Sequence, residues 1–306
     1  MNSNLAIIIP AFKGEFLERT LHSISSQTNK NFTVYIGDDN SPYNLQSIVN
    51  LFINKLTIVY KKFDENFGSN SLIKQWDRCI SLCKNEKWIW LFSDDDLMDS
   101  NCIAAFYATI SDTTTGYDLY RFDTDMIDAT DTTLYENPRF KTVTSSYEFV
   151  NKKLNGEIRS FVSEYIFSRS VYEDQRGFVD FPLAWASDDA TWVKFGYKKG
   201  IYTIQNAKVY WRLSDLNISN SSNSHGNTKC IALIQYSNWL LSYFKDKYDL
   251  IETKHNLKKF FLSQLAHYSI KLTPNFTLYL YKNLKRTFGI SYINLTLFLL
   301  VNKIGK

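Results

Sequence analysis

The chain is poor in residues that interrupt structure. Only 5 of its 306 residues are proline and 11 are glycine, which excludes a linker-rich array. Its four cysteines, Cys79, Cys83, Cys102 and Cys230, form no CxxC pair, so no structural zinc site is expected. Cys79 and Cys83 are spaced to share one helix face, which suits packing better than a disulfide. Reduced, buried thiols in the cytosol are the expectation. No run reaches the ~18 apolar residues that a membrane span needs. The start, MNSNLAIIIPAFKG, lacks a basic segment and its apolar run stops at Pro10, so it reads as a first core strand and not as a signal peptide. The net charge is a mild +4 with no dense basic run. Neither a nucleic-acid binder nor an acidic-tail protein fits that balance.

What is present is apolar bulk. Hydrophobic residues make up 44% and aromatics 16%, enough for a sizeable core and too much for global disorder. LAIIIPAF (5–12) is a continuous apolar run, as in a strand buried on both faces. EFLERTLHSISSQ carries Phe16, Leu17, Leu21 and Ile24 at helical spacing. FTVYIGDDNS (32–41) is a second strand ending in acids, LQSIVNLF a helix and LTIVYKKF a third strand. NSLIKQWDRCISLCKN is a helix with Leu72, Trp76, Cys79, Ile80 and Cys83 on one side, and KWIWLFS is a fourth strand. Strands separated by helices imply βαβ units and a parallel sheet. Further on, YDLYRFDTDMID and IYTIQNAKVYWRLS read as strands, VSEYIFSRSVYED as strand then helix, and DLNISNSSNSHGN as a polar, turn-rich segment. From Thr228 onward the pattern is helical and aromatic, with no internal repeat.

Three acidic clusters raise the functional question. WIWLFSDDDLMDS climbs through a buried strand to Phe92 and then meets Asp94, Asp95 and Asp96. Adjacent carboxylates repel and are costly to desolvate, so a cation or water must share their surroundings. Ligands in open α/β sheets bind beyond the carboxyl ends of the strands, where both GDDNS and SDDDL fall. Hard divalent cations take carboxylate oxygens together with phosphate oxygens and water, and three acids after a strand supply such donors. The competing reading is a solvated turn in which Asp96 or Asp99 caps the next helix. Asp38 and Asp39 are either a ligand-binding carboxylate pair or an ordinary turn. Asp188 and Asp189 precede a helical run, ATWVKFGY. One of them suits a general base at the rim, and the alternative, favoured for Asp188, is a helix cap.

As a set these segments become recognisable. AIIIPAFKGEFLERTLHSISSQTNKNFTVYIGDDNS, ENFGSN, KWIWLFSDDDLMD and SDDATW, in that order, resemble the family 2 glycosyltransferases of the GT-A fold over roughly the first two thirds of the chain. The resemblance implies a Rossmann-like, mixed but mainly parallel sheet flanked by helices. Residues 1–225 would form the catalytic domain and 226–306 a helical extension. It implies a nucleotide-sugar donor, with UDP the expected nucleotide, and Mn2+ or Mg2+ as cofactor. The backbone of Pro10, Ala11 and Phe12 would line the nucleotide pocket, with Asp39 on the base. Asp95 would be the principal metal ligand with Asp96 as a second, and Asp94 would lie beside them at the donor. Arg212 would sit near the donor phosphates, and Asp189 would be the catalytic base of an inverting enzyme. Two positions depart from the family pattern: Ser93 stands where an aspartate is usual, and Ser214 where a histidine is. Lys74 could approach the diphosphate, although a surface lysine on a helix is the plainer reading.

On the acceptor side, DQRGFVDFPLAWAS offers Phe178, Phe181 and Trp185, either to stack on sugars or to pack a core. The expected acceptor is a glycan or polyprenyl-linked hydroxyl in capsule or lipopolysaccharide synthesis. The transferred group would be a hexose or an N-acetylhexosamine. The tail KNLKRTFGISYINLTLFLLVNKIGK is either an interfacial segment touching anionic lipid or a helix packed on the catalytic domain. The expected location is cytoplasmic, with peripheral contact on the inner membrane face. Two other functions compete. A nucleotidyltransferase needs a Gly-rich basic loop, and PAFKGEFLERT is a poor one. A non-catalytic nucleotide- or glycan-binding module would not need all three acidic sites.

Overall fold

The computed structural model describes residues 4–112, 116–215 and 225–302, so most of the turn-rich DLNISNSSNSHGN segment lies outside the described residues. The elements run β1 (Leu5–Ala11), α1 (Leu17–Ser25), β2 (Thr33–Asp38), α2 (Leu45–Asn50), β3 (Ile58–Lys62), α3 (Leu72–Ile80), β4 (Trp88–Leu91), β5 (Leu97–Met98), α4 (Cys102–Asp112) and β6 (Leu119–Ile127). They continue as β7 (Thr133–Glu136), β8 (Val143–Thr144), α5 (Ser146–Leu154), β9 (Tyr165–Ser168), α6 (Arg169–Asp174), α7 (Ser187–Phe195) and β10 (Ile201–Arg212). Four helices close the chain: α8 (Gly226–Phe244), α9 (Ile251–His267), α10 (Pro274–Phe288) and α11 (Tyr292–Val301).

The strands form one mixed sheet in the order β3-β2-β1-β4-β9-β6-β10-β5, with β7 on β6 and β8 on β10. β1 to β4 are mutually parallel, and β9 runs antiparallel between β4 and β6. That reversal matters for the site. It brings the turn Val162–Glu164, which precedes β9, to the edge where β4 ends.

The period-2 alternation of β1 sorts its side chains onto two sides. Ala6 and Ile8 join one core with α3, α5, α7 and α8 to α11. Leu5, Ile7 and Ile9 join the other with α1, α2 and α4. Each buried isoleucine contributes about 1.5–3 kcal/mol, so β1 is an anchor for both layers. The first core runs without interruption from the sheet through Trp192 of α7 to Leu240, Leu265, Leu284 and Leu299.

Local chemistry sets the helix ends. Ser71, Ser145 and Ser168 cap α3, α5 and α6 through their hydroxyls, as short polar side chains do for orphan N–H groups. Neither expected aspartate cap forms. The Asp99 carboxylate turns to β10, accepting from the Lys208 N–H (2.9 Å) and the Tyr210 hydroxyl (2.8 Å). α7 starts after Ala186, which is left-handed at φ 63° and has no side-chain cap. Cys83 also lies beyond the end of α3, so it does not share that helix's face with Cys79, although both are buried and free.

Candidate active site at the carboxyl edge of the sheet

Because β1, β2 and β4 are parallel, the segments after them meet at one edge. The acid cluster is tied there to the β1 loop. Asp94 Oδ2 accepts from the backbone N–H groups of Phe12 and Lys13, each at 2.9 Å. The Phe12 carbonyl in turn accepts from the Ser41 hydroxyl at 2.6 Å, and the Ala11 carbonyl from the Asp39 N–H at 2.9 Å. The backbone of Pro10, Ala11 and Phe12 is thereby clamped between the two acidic loops. The Lys13 ammonium lies 3.4 Å from Asp95 Oδ2, the positive charge that three adjacent aspartates require. Burial pushes Asp94 up to about 6, with Asp95 adding to the rise.

Two expected site residues turn inward. Asp96 is fully buried. Its Oδ1 accepts from the Arg212 backbone N–H at 2.8 Å and its Oδ2 from the Ser163 hydroxyl. Neither oxygen is presented to the rim, so Asp96 is a fastening of the loop and not a second metal ligand. Burial, and then Asp95, push its carboxyl up to about 8. The Arg212 guanidinium is also fully buried. It donates to the Asp95 and Asp128 carbonyls, each at 2.7 Å, pairs with Asp131 at 2.6 Å, and lies 4.5 Å over the Phe16 ring. It clamps the backbone of the acid loop from behind. Lys74 is exposed on α3.

At the end of β2 the two aspartates divide. Asp38 is structural, accepting from the Ser41 N–H and the Tyr60 hydroxyl. Asp39 accepts from the N–H groups of Phe67 (2.7 Å) and Gly68 (2.8 Å) and pairs with Arg78. The Arg78 guanidinium lies between Phe63 and Phe67, at 3.9 and 4.1 Å from their ring centres. Gly68 is required by close approach: a Cβ there would sit 2.5 Å from Asp39 Oδ2.

Asp189 occupies the first turn of α7 and pairs with the Lys153 ammonium from α5. Lys153 also donates to the Ser160 carbonyl at 3.3 Å. Burial pushes the Asp189 carboxyl up to about 7 despite that lysine, with Asp188 and Glu164 adding to the rise. Residues 160–164 link this group to the acid loop. Ser163 bonds both Ser93 and Asp96, and Glu164 holds Arg121 at 2.7 Å. The Ser160 hydroxyl meets the Tyr165 hydroxyl at 2.8 Å, and the Tyr165 ring stacks on Trp192 of α7.

The loop before α7 carries three left-handed residues, Leu183, Ala184 and Ala186, at φ 60°, 52° and 63°. Such backbone persists only where surrounding packing imposes it, and it concentrates at functional segments. Phe178 and Phe181 are both buried in the core, and Phe181 shows only an edge to the cleft beside this loop. Trp185 is half-buried, its indole N–H donating to the Tyr268 hydroxyl at 2.8 Å beneath the Lys229 ammonium. A cleft of about 250 Å³, lined by Asn70, Ser71, Asp180, Phe181, Pro182 and Leu183, separates the loop holding Asp39 from the loop leading to Asp189.

No group of three or more acidic, histidine or cysteine side chains assembles as a metal cage among the described residues. The donors at the rim are oxygen only: Asp95, with Asp94 beside it, facing an ammonium that stands where a cation belongs. This fits a hard divalent ion completed by phosphate oxygens and water.

The comparisons with known proteins accord with this geometry. The model of the family described as Glycosyl transferase family 2 matches residues 6–174. The chain belongs to that family. Among solved structures, this family 2 chain is similar to S. aureus TarS residues 1–349 in complex with UDP-GlcNAc, at a TM-score of 0.62 and 14% identity, covering 93% of this chain and 78% of that one. It is similar to the mannosyltransferase PcManGT from Pyrobaculum calidifontis in complex with GDP-Man and Mn2+, at 0.55 and 12%, covering 99% and 88%. GalNAc-T7 with UDP, GalNAc and Mn2+ is a third, at 0.51 and 11%, covering 86% and 56%. These likenesses establish the GT-A fold. No curated protein matches the sequence.

Sequence reasoning missed four polar residues of the site: Lys13, Arg78, Lys153 and Ser163. Arg78 was the most accessible. It stands one helical turn after Lys74, and the inward residue of such a pair is decided by packing. Lys153 and Ser163 carry no local signal, because only the antiparallel insertion of β9 brings them to the edge.

Proposed function

We propose that this family 2 glycosyltransferase moves one hexose or N-acetylhexosamine from a UDP-sugar to a hydroxyl of a glycan or polyprenyl-linked acceptor, with inversion, in cell-surface polysaccharide assembly at the cytoplasmic membrane face. The observation that carries it is the single bonded path from the acid loop, through Ser163 and residues 160–164, to Lys153 and Asp189. Metal-side carboxylates and a candidate base are thus held on one wall.

Asp39 is an acceptor-only carboxylate and suits the N–H edge of a base. The clamped backbone of Pro10, Ala11 and Phe12 lines the nucleotide. Asp95 with Asp94 would hold a divalent ion, which when bound supplies charge neutralisation for the departing diphosphate. Lys13 adds a second positive charge at the same place. Asp189 accepts the acceptor's hydroxyl proton as the oxygen forms its bond to the anomeric carbon and the bond to the diphosphate oxygen breaks. A carboxyl near 7 is matched to that role. Lys153 keeps the carboxylate oriented. Trp185 and the cleft beside Asp180 to Leu183 belong to the acceptor side.

A thermal-shift panel tests the reading: UDP, GDP, dTDP and CDP, with and without Mn2+, on wild type and Asp95→Ala. Ligands that bind only the folded state raise Tm by mass action. The expected result is stabilisation by UDP that requires metal and is lost in the variant. No shift from any nucleotide overturns it.

A further inference from the structure

The charge distribution along the chain is one-sided. All 31 acidic residues lie before residue 253, and residues 253–302 carry seven lysines and arginines and no acid. Lys282, Lys285 and Arg286 are exposed on α10. With Leu278, itself 50% exposed, Lys282 and Lys285 fall at i, i+4 and i+7, on one stripe.

The helix beside that stripe exposes aliphatic side chains. On α11, Leu295 and Leu299 pack inward. Ile293, Leu297, Leu300 and Val301 face outward at 70%, 55%, 65% and 78% exposure, at i, i+4, i+7 and i+8. Leucines spaced like this normally form the buried stripe of a helix; here they form the outer one. A contiguous exposed apolar surface of this kind marks an interaction site. The basic and apolar stripes adjoin. The Tyr281 ring meets the Tyr292 ring edge-on at 5.3 Å, and the Lys285 ammonium lies 5.7 Å from the Tyr281 ring centre. α10 and α11 meet at a bend of 115°, so they do not form one straight span.

We propose that α10 and α11 are a docking surface for an anionic lipid bilayer, the aliphatic stripe of α11 entering the headgroup boundary while Lys282, Lys285 and Arg286 engage lipid phosphates. Aliphatic and tyrosine side chains bordered by lysine and arginine are the composition of interfacial helices. Charge selects this occupant over a second copy of the chain. A two-fold interface sets the same patch against itself, and here that opposes positive to positive with no acid in either segment to offset it. The loop before α7 reaches this helical segment through Trp185, whose indole N–H donates to the Tyr268 hydroxyl between α9 and α10. The docking itself does not rest on the transferase reading.

The test is cosedimentation of the full chain with vesicles of phosphatidylcholine alone and of equal parts phosphatidylcholine and phosphatidylglycerol. The expected result is binding to the anionic vesicles at least tenfold tighter than to the neutral ones, weakening as salt rises. Replacing Lys282, Lys285 and Arg286 by glutamine should cost about a hundredfold, at roughly fivefold per charge. The Leu297→Ser, Leu300→Ser variant should also bind more weakly, with an unchanged Tm because both side chains are exposed. Asp95→Ala should bind vesicles as wild type does, separating docking from donor binding. Absence of vesicle binding, equal binding to both compositions, or a dimer in light scattering that the leucine variant dissolves would overturn the proposal.

Discussion

The Lys153 ammonium lies directly against the Asp189 carboxylate, yet burial still holds that carboxyl up at about 7. Desolvation outweighs the ion pair. As the proposed base, Asp189 must be ionised, so kcat/KM should fall about tenfold per pH unit below 7. Stability should run the other way. The folded state binds this proton more tightly than the unfolded chain does. Asp189 therefore contributes stability at low pH and loses it as pH rises from about 4 to about 7. Asp94, pushed up to about 6, acts in the same direction. Rate and Tm profiles over that range check both signs. Lys153→Met removes the ammonium and should move the acid limb of the rate profile upward. Asp189→Asn should lower kcat by about 10²–10⁴ above pH 7 and abolish the acid limb of the profile.

Asp95 and Asp96 are adjacent in sequence and differently held, Asp95 against the Lys13 ammonium and Asp96 against the Arg212 N–H and the Ser163 hydroxyl. Asp95→Asn should abolish metal-dependent nucleotide binding with little change in Tm. Asp96→Ala should instead destabilise the fold by about 1–3 kcal/mol, because it strands the Arg212 N–H and the Ser163 hydroxyl in a buried place. Denaturant melts of both variants separate the roles. Equal loss of nucleotide binding with unchanged stability for Asp96→Ala would return it to the ligand set.

Gly68→Ala probes the carboxylate of Asp39, proposed to face the nucleotide base, without replacing it. The added methyl meets Asp39 Oδ2 at 2.5 Å, so the carboxylate must leave the Phe67 and Gly68 amides. Expected is a tenfold or greater loss in nucleotide affinity, read by calorimetry, with a stability cost of about 1–2 kcal/mol.

The buried pair of Arg121 and Glu164 supports the turn that carries Ser163. Glu164 also takes the Thr124 hydroxyl, and Arg121 lies 3.4 Å from the Phe140 ring centre. Glu164→Ala leaves the buried guanidinium with Asp123 as its carboxylate partner, at 3.2 Å, and should cost about 1–3 kcal/mol. Urea unfolding measures it.

Ala186 holds φ 63° at the start of α7. Glycine accepts that conformation freely. Ala186→Gly should raise stability by up to about 1 kcal/mol after the added freedom of the unfolded chain is counted. A loss of stability would show that the alanine methyl packs where the backbone strain is held.

How much of this was legible beforehand follows from where the information lies. The alternation of β1, the helical spacing of α1 and α3, and acids just past strand ends are local patterns. Local periodicity and turn chemistry were therefore enough to mark the parallel half of the sheet and its rim. The same patterns placed Asp39, Asp94, Asp95 and Asp189 on candidate positions. They could not say which way each carboxylate turns. Asp94, Asp95 and Asp96 look equivalent in a row. Tertiary packing gives the first two backbone amides and a lysine, and gives the third a buried arginine N–H and a serine. The partners of Arg212 and Phe181 were hidden for the same reason, because a side chain's partner is chosen by segments far away in sequence. The antiparallel insertion of β9, which delivers Ser163, Glu164 and the path to Lys153, is a long-range pairing without a local signature. The sequence by itself determined the elements and their chemistry; only tertiary structure decided orientation, since direction and desolvation depend on neighbours that the chain order does not name.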